Sequence, residues 1–243
     1  MSALHRVGGR LPPHPNKVIP NILKCLGTEP VALPPAKLSV AWTATVPDPN
    51  DENNLEYGDC VFAMLAHFVQ TASACVGREV TISREDVLKA YFQYTGGQDT
   101  GAVITDVLDL FCGVGLWGHK GLGYAACPSN HRVMAQVIDI FGGLCLGLDM
   151  PTTAKGQAVW DAVPGMLVGD WGGHGAFGGS HNPFGILVDS WGERIPATYD
   201  FLDPCASERY VVVLEDWLNS DRVAPSGVNV DLLLADLAVI RAA

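Results

Sequence analysis

Cys60 stands where a polar loop gives way to an apolar helix. Gly58 and Asp59, residue types favoured in turns and caps, end the loop, and apolar residues with helical spacing continue to Cys75. At a helix N-terminus the unpaired backbone N–H groups and the helix dipole favour a thiolate, the nucleophilic form of cysteine. The pattern therefore predicts a reactive thiol, with a buried structural cysteine as the alternative. Because a nearby carboxylate disfavours the thiolate, Asp59 is expected to turn away and cap the helix.

A histidine and an aspartate further along the chain could face each other in a β-hairpin. If Ser180 to Pro183 forms the turn, His174 and Asp189 are directly opposed on the two strands. Opposed residues have Cβ atoms about 4.5 to 5.5 Å apart, close enough for a carboxylate to hold an imidazole nitrogen. We expect this pair to assist the cysteine, although a longer turn or a bulge would shift the register.

Two other histidines are weaker candidates for the same role. His181 falls in the expected turn, about 23 Å along the strand from the His174 end of the hairpin, and is predicted to be a surface residue. His67 lies on the same helix face as Cys60 but about 10.5 Å further along the axis, too far to accept the thiol proton. We therefore expect His67 to be an ordinary residue of the helix.

The elements that must position these residues change in type halfway along the chain. Helices are predicted first, at residues 60–75, 83–94, 104–111 and 132–141, with a glycine-rich connection at 113–124. Short apolar segments bounded by turn residues then predict strands at 143–148, 174–178, 184–191 and 210–214, and a final helix at 229–240. Helices followed by a mostly antiparallel sheet place the protein in the α+β class.

Composition and charge divide the chain into two parts. Its 243 residues, 48% of them hydrophobic, are enough for one large domain with a sizeable core. Prolines cluster near the N-terminus, which predicts an extended arm at 1–50 followed by one domain at 51–243. Residues 1–40 carry five Lys or Arg and one acid, a charge of +4, whereas the remainder carries −15. We expect the arm to dock on the acidic body or on a neighbouring subunit.

The composition also argues against several partners and cofactors. A net charge of −11 disfavours nonspecific nucleic-acid binding, and no apolar run is long enough to predict a membrane span or a signal peptide. We therefore expect a cytoplasmic or virion-associated protein. The seven scattered cysteines predict neither a disulfide framework nor a zinc site, and no phosphate-binding or dinucleotide motif occurs, so no metal or other cofactor is expected.

Together the candidate residues resemble the active-site stations of the papain-like cysteine proteases. Asn54 before Gly-Asp-Cys60, Gly-Gly-His174 opening a strand, and Asp189-Ser-Trp-Gly192 on the next strand match the family in order and spacing. A mostly helical block separates the cysteine from the histidine, as it does in the family. The resemblance covers about residues 54–217 and implies a papain-like domain at 51–243. The layout is similar to compact members from phage and prophage genomes.

This resemblance implies a hydrolase that cleaves peptide or amide bonds through a triad of Cys60, His174 and Asp189. Cys60 would attack the carbonyl, His174 would accept and return the proton, and Asp189 would hold the histidine in one tautomer. The resemblance also places Asn54 in the oxyanion hole beside the Cys60 backbone N–H. Trp191 would cover the contact between the histidine and the aspartate. The partner implied is a peptide or protein substrate.

Two alternatives to a peptidase stay open at the level of sequence. Cell-wall amidases also place Asp-Cys at a helix start, but with a shorter separation between the cysteine and the histidine. A non-catalytic virion or assembly protein could use the same fold as a scaffold, with the arm as its tether to phage structural proteins or to other subunits. If the arm instead closes over Cys60, it would act as an inhibitory pro-segment.

Overall fold

Helices precede strands along most of the chain in the computed structural model, which describes residues 8–25, 35–221 and 223–227. The helices in these ranges are α1 (Ile22–Cys25), α2 (Cys60–Cys75), α3 (Arg84–Thr95), α4 (Ile104–Gly113), α5 (His131–Phe141) and α6 (Tyr199–Cys205). The strands are β1 (Val40–Ala41), β2 (Gly121–Ala126), β3 (Leu144–Met150), β4 (Gly172–Asn182), β5 (Gly185–Ser190), β6 (Glu193–Thr198) and β7 (Ala206–Leu214). They form an antiparallel sheet in the order β2-β7-β3-β4-β5-β6, with β1 paired to β4. The predicted α+β class is confirmed.

Helix α2 forms the centre of the core because its sequence is apolar on almost every side. Every residue from Cys60 to Ser73 is buried. Phe68 of this helix stacks on Phe177 of β4 with ring centroids 4.9 Å apart, which seats the helix on the sheet. The predicted bounds of the helix are confirmed, and Cys60 is its first residue.

Side-chain caps begin two of the other helices. Ser83 accepts a hydrogen bond from Asp86 N at 3.1 Å and opens α3, and Asn130 accepts one from Val133 N at 3.1 Å and opens α5. Gly96 ends α3 in the left-handed region, at φ 69°. Such local signals are legible in sequence, and both helices begin and end within a residue of the predicted bounds.

The hairpin between β4 and β5 turns later in the chain than predicted. Strand β4 runs on to Asn182, which pairs with Gly185, so the turn lies between these two residues rather than at 180–183. The strand extends this far because Ser180 and His181 pair with the short strand β1. A partner so distant in sequence leaves no trace in the local pattern, since strand formation depends on tertiary context.

This later turn changes which residue lies opposite His174. A register shift between Gly178 and Ser180 then moves the pairing back by one residue, and Asp189 lies opposite Phe177. The predicted pairing of His174 with Asp189 is therefore wrong. Because successive strand residues point to opposite faces, Asp189 and Phe177 lie on one face of the sheet and His174 lies on the other.

The sequence pattern predicts no strand for β2 or β6 and no helix for α6. Two of the six residues of β2 are glycine, yet the strand forms because it pairs with β7 along its length. Helix α6 contains Pro204, which argues against a helix, but Thr198 caps its first turn by accepting a hydrogen bond from Phe201 N at 3.2 Å. The helix predicted at 229–240 lies outside the described residues. No helix within the described ranges is long and apolar enough to cross a membrane.

Basic and aromatic residues near the N-terminus have specific partners on the rest of the chain. Lys17 Nζ lies 2.6 Å from Asp109 and 3.2 Å from Asp106, both on α4. Trp42 packs edge-on against Trp217 with ring centroids 5.3 Å apart. These two residues therefore make specific contacts with the rest of the chain, while docking of the whole arm stays a prediction.

Candidate active site

The thiol of Cys60 touches the strand that carries His174. Its Sγ accepts a hydrogen bond from the backbone N–H of Gly175 at 3.2 Å. The helix and the strand approach closely at this point, and a Cβ on Gly175 would lie 3.3 Å from the Cys60 carbonyl oxygen. The fold therefore brings the predicted nucleophile into contact with the residue that comes after the predicted base.

His174 is buried and held between a serine and stacked tryptophans. Its Nε2 lies 2.6 Å from Ser190 Oγ. Trp191 stacks on the imidazole with ring centroids 4.0 Å apart and an interplanar angle of 15°, and Trp171 stacks on Trp191 at 5.5 Å. Trp191 has a backbone φ of 51°, which is costly for a bulky residue and tends to occur at functional sites. These contacts give the histidine ring one orientation.

Asp189 is buried on the face of the sheet that packs against α2. Its neighbour across the hairpin, Phe177, stacks on that helix, and its carboxylate lies 3.4 Å from Arg194 Nε. Burial raises the pKa of Asp189 to about 7, and the charge of Arg194 offsets only part of this effect. Ser190, the next residue, lies on the face of His174. The expected contact of Asp189 with His174 is therefore replaced by one from Ser190, and the catalytic role of Asp189 stays a prediction.

Asn54 and Asp59 bond to each other in the loop before the nucleophile. Asn54 Nδ2 donates to Asp59 Oδ1 at 3.2 Å and to Tyr57 O at 3.1 Å, which uses both hydrogens of its amide. The oxyanion role of Asn54 stays a prediction, and these contacts count against it. Asp59 lies at the N-cap of α2, but the expected side-chain cap does not form. Burial raises the pKa of Asp59 to about 8, so near neutral pH this carboxyl group is mostly protonated and adds little charge beside the thiol.

Residues 8–11, which we call the cleft segment, run in extended form through the groove that leads to Cys60. On one side of the groove, Arg10 N donates a hydrogen bond to Gly173 O at 3.2 Å. On the other side, the backbone of the segment exchanges hydrogen bonds of 2.8 and 2.9 Å with Ala102. The groove is therefore occupied by the protein's own chain.

Gly9 is the part of the cleft segment that covers the thiol. A Cβ on Gly9 would lie 1.8 Å from Gly58 O, so no larger residue fits in this passage. Cys60 is fully buried, and burial raises the pKa of its thiol to about 11, while main-chain hydrogen bonds from Gly175 and Gly9 offset only part of the effect. The low-pKa thiolate expected from the helix N-terminus is therefore absent while the segment is in place.

The two rival histidines lie in different environments. His181 is buried on β4, and its Nε2 lies 2.9 Å from Asp139 Oδ1 on α5, so the prediction of a surface residue in a turn is wrong. His67 is buried in α2, and burial lowers its pKa to about 4, which keeps the ring neutral at physiological pH. Both histidines are structural in these surroundings.

Sequence reasoning missed Ser190, Arg10 and the two acids that pair with Arg10. Ser190 belongs to the Asp189-Ser-Trp-Gly192 stretch, but neither the predicted turn nor the observed one places it directly opposite His174, so the hairpin pattern gives no signal for it. Arg10, Asp149 and Glu208 come from three distant parts of the sequence. No local periodicity or motif connects them, so only the folded chain reveals the cluster.

A cavity of about 210 Å³ remains beside the cleft segment. One wall includes Asp99, which accepts hydrogen bonds from Tyr91 Oη at 2.6 Å and from Gly58 N at 2.9 Å. A larger cavity of about 530 Å³, whose lining includes Phe184 and His181, includes neither Cys60 nor His174. Among the described residues, no three His, Cys, Asp or Glu side chains are grouped so that they could hold a metal ion.

Comparison with solved structures places this geometry in a known fold. No protein-family model and no curated protein sequence matches the chain. Xylellain, a cysteine protease from Xylella fastidiosa, superimposes with a TM-score of 0.67 at 13% identity, covering 87% of this chain and 97% of its own. ProCathepsin B from Trypanosoma congolense gives 0.62 at 11% identity, covering 88% of each chain. A cysteine protease from Carica candamarcensis gives 0.54 at 14% identity, covering 73% and 98%. The chain thus has the fold of the papain-like cysteine proteases.

Proposed function

We propose that the protein is a cysteine peptidase that cleaves peptide or amide bonds with Cys60 as nucleophile and His174 as base. The observation that carries this proposal is the 3.2 Å hydrogen bond from Gly175 N to Cys60 Sγ. It joins the start of α2 to β4 next to a histidine whose ring is oriented by Ser190 and stacked under Trp191. A cysteine that served only for packing would need no oriented histidine at the residue preceding its contact on β4.

The order of the chemical steps is set by the groups present. Cys60 Sγ would lose its proton to Nδ1 of His174, since Nε2 is engaged by Ser190, and would form a bond to the substrate carbonyl carbon. The backbone N–H groups at the start of α2 would stabilise the resulting oxyanion. When the C–N bond breaks, the leaving amine takes the proton from His174. Water then hydrolyses the thioester, which releases the acid and restores the thiol.

A peptide is the substrate class that the groove supports. The cleft segment already occupies it as an extended chain that hydrogen-bonds to Gly173 and Ala102 through its backbone. Main-chain pairing of this kind accepts many sequences, as in other peptide-binding grooves. Turnover of an external peptide would require the cleft segment to leave, so the described state is a resting state.

A second candidate is a non-catalytic assembly protein, such as a virion component, that uses the fold as a scaffold. The observation in its favour is the complete burial of Cys60, with a thiol pKa raised to about 11. A thiol in that state is unreactive at neutral pH. The two candidates differ in the effect of displacing the cleft segment, because a peptidase then gains a reactive thiol and a scaffold does not.

The test is hydrolysis of a fluorogenic peptide library by the full chain carrying Gly9→Ala, which displaces the cleft segment. We expect cleavage that either Cys60→Ala or His174→Ala abolishes on the same background, while the melting temperature shows that each variant is folded. Peptidoglycan fragments assayed in parallel test the cell-wall amidase alternative. The scaffold is favoured if Gly9→Ala cleaves nothing and its Cys60 is alkylated no faster than Cys75, which is half-buried with a raised pKa.

A further inference from the structure

Arg10 of the cleft segment is buried between two acids that the proposed mechanism does not use. The residue is 7% exposed, and its two terminal nitrogens pair with different partners, one with Asp149 and the other with Glu208. Glu208 is itself 5% exposed, and its second carboxylate oxygen accepts a hydrogen bond from Tyr210 Oη at 2.9 Å. A carboxylate fixed and buried in this way is costly unless a cation lies against it.

The pocket that holds the arginine is formed by three neighbouring strands. Asp149 on β3 lies opposite Gly173 on β4, and Glu208 on β7 lies opposite Gly147 on β3. A Cβ on Gly147 would lie 3.0 Å from Arg10 Cδ and 2.9 Å from Glu208 Oε1. The absence of a side chain at Gly147 therefore leaves a channel for a long, unbranched side chain. Asp149, two residues further along β3, and Glu208, opposite Gly147 on β7, each place an acid beside this channel.

This pocket adjoins the proposed nucleophile. Gly147 lies opposite Gly175, whose N–H donates to Cys60 Sγ. Arg10 N donates to Gly173 O. The backbone of Arg10 is therefore bound to β4 two residues before Gly175, the residue that contacts the thiol. A peptide bound as the cleft segment is bound would place one side chain in the pocket and a peptide bond beside the thiol.

The backbone contacts of the cleft segment do not distinguish one peptide from another. Ala102 N donates to Gly9 O at 2.8 Å, and Leu11 N donates to Ala102 O at 2.9 Å, which is the pattern of an added strand. Hydrogen bonds of this type are available to almost every residue of an extended chain. Selectivity in this groove therefore depends on the side-chain pocket.

The chemistry of the pocket favours arginine over lysine and over neutral side chains. Its two carboxylates lie on different strands and contact different nitrogens of one guanidinium, an arrangement that matches the wide planar fork of arginine better than the compact ammonium of lysine. Two acids facing one cation leave a net negative charge. A neutral side chain would leave the buried Glu208 without a cation, whereas Asp149, whose side chain is 34% exposed, would still contact water.

We propose that Asp149 and Glu208 determine the specificity of this site and select peptides with an arginine side chain next to, or one residue removed from, the bond that is cut. In the resting protein Arg10 occupies their pocket in place of the substrate side chain. The inference rests on the proposed peptidase function, but the selection of arginine is a binding property and is measurable without turnover.

The test is binding of the peptide Gly-Gly-Arg-Leu-amide, labelled with fluorescein at its N-terminus, to the full chain carrying Arg10→Ala and Cys60→Ala, which empties the pocket and prevents turnover. The matched probe carries citrulline, which is nearly isosteric with arginine but uncharged. By fluorescence anisotropy we expect the arginine peptide to bind about tenfold or more tightly. Glu208→Gln should remove most of this preference, and the wild-type chain should bind both peptides weakly. Equal affinities, or a preference that survives Glu208→Gln, would overturn the inference.

Arg10→Ala leaves Asp149 and Glu208 without their cation, which could prevent folding. A second variant is used in that case. Gly9→Ala displaces the main chain without altering the pocket, and the same comparison of probes applies to it. The outcomes also separate this inference from the proposed function. Arginine-selective binding without hydrolysis by any variant that retains Cys60 would refute the peptidase and support the arginine pocket. Hydrolysis with no preference for arginine would support the peptidase and refute the arginine pocket.

Discussion

Ser190 Oγ lies 2.6 Å from His174 Nε2, while the adjacent Asp189 lies on the other face of the sheet. A serine hydroxyl can hold an imidazole in one tautomer, as a carboxylate can, but it brings no charge. The imidazolium formed after proton transfer would therefore be stabilised less than beside an aspartate. Orientation of the ring depends correspondingly more on the stacked Trp191, whose centroid is 4.0 Å away.

We expect Ser190→Ala to lower kcat by about tenfold or more with little change in KM, because it frees the His174 ring without reaching the substrate groove. Asp189→Asn is the matched control on the same strand. It replaces a carboxyl group whose pKa is raised to about 7 by a neutral amide and should affect kcat much less. Steady-state kinetics on the Gly9→Ala background measure both variants. A larger loss in Asp189→Asn would return the orienting role to the aspartate.

We expect Gly9→Ala to raise the rate of Cys60 alkylation by iodoacetamide at neutral pH by about tenfold or more, because loss of the cover lowers the thiol pKa from about 11 toward its ordinary range. Mass spectrometry of the digested protein gives the rate, with Cys75 as internal reference. Gly113→Ala is the control, since its new Cβ meets no atom within 4 Å, and it should react as wild type. An unchanged rate in folded Gly9→Ala would mean that the cleft segment is not what covers the thiol.

Three buried carboxyl groups should make the protein less stable as pH rises from about 6.5 to about 8. Burial raises the pKa of Asp59 to about 8 and those of Glu52 and Asp189 to about 7, against ordinary values near 4 in the unfolded chain. In this window the folded state holds protons that the unfolded state has lost, so the free energy of unfolding falls with increasing pH. His67, with a pKa lowered to about 4, is neutral in the folded state, but its ordinary pKa near 6.5 leaves it half protonated in the unfolded chain at the low end of this window. It therefore opposes the trend near pH 6.5 and contributes little above about pH 7.5.

Melting temperatures across this window at constant ionic strength measure the effect. Asp59→Asn removes the group with the highest of the three pKa values and retains a carbonyl that accepts the hydrogen bond from Asn54. We expect this variant to melt with a shallower dependence on pH than wild type. Identical slopes in the two proteins would show that the burial of Asp59 is not the cause.

We expect His181→Ala to destabilise the protein without changing the reactivity of Cys60 on the Gly9→Ala background. It removes a buried partner of Asp139, which costs about 1 to 3 kcal/mol and lowers the melting temperature by about 2 to 4 °C for each kcal/mol. His14→Ala removes an exposed side-chain contact with Asp106 and should change the melting temperature little. A loss of thiol reactivity in folded His181→Ala would make that histidine part of the site.

Local sequence was sufficient for the parts of the fold that depend on neighbouring residues. The apolar run of α2, the Ser83 cap and the left-handed Gly96 each act within a few residues, and the structure confirms the helices that they predict. The register of the β4 and β5 hairpin was not predictable in this way. It depends on the pairing of His181 with Val40, which is 141 residues away in sequence and shares no local pattern with it.

The sequence alone determined the α+β order of elements and the position of Cys60 at a helix N-terminus, because helix periodicity and capping depend on residues close together in the chain. Only the tertiary structure decided that Ser190 rather than Asp189 faces His174, since a shift in strand register reverses which side chains lie on each face of the sheet. It also decided that Arg10 meets Asp149 and Glu208 beside the thiol, because contacts between distant segments form only when the whole sheet is assembled.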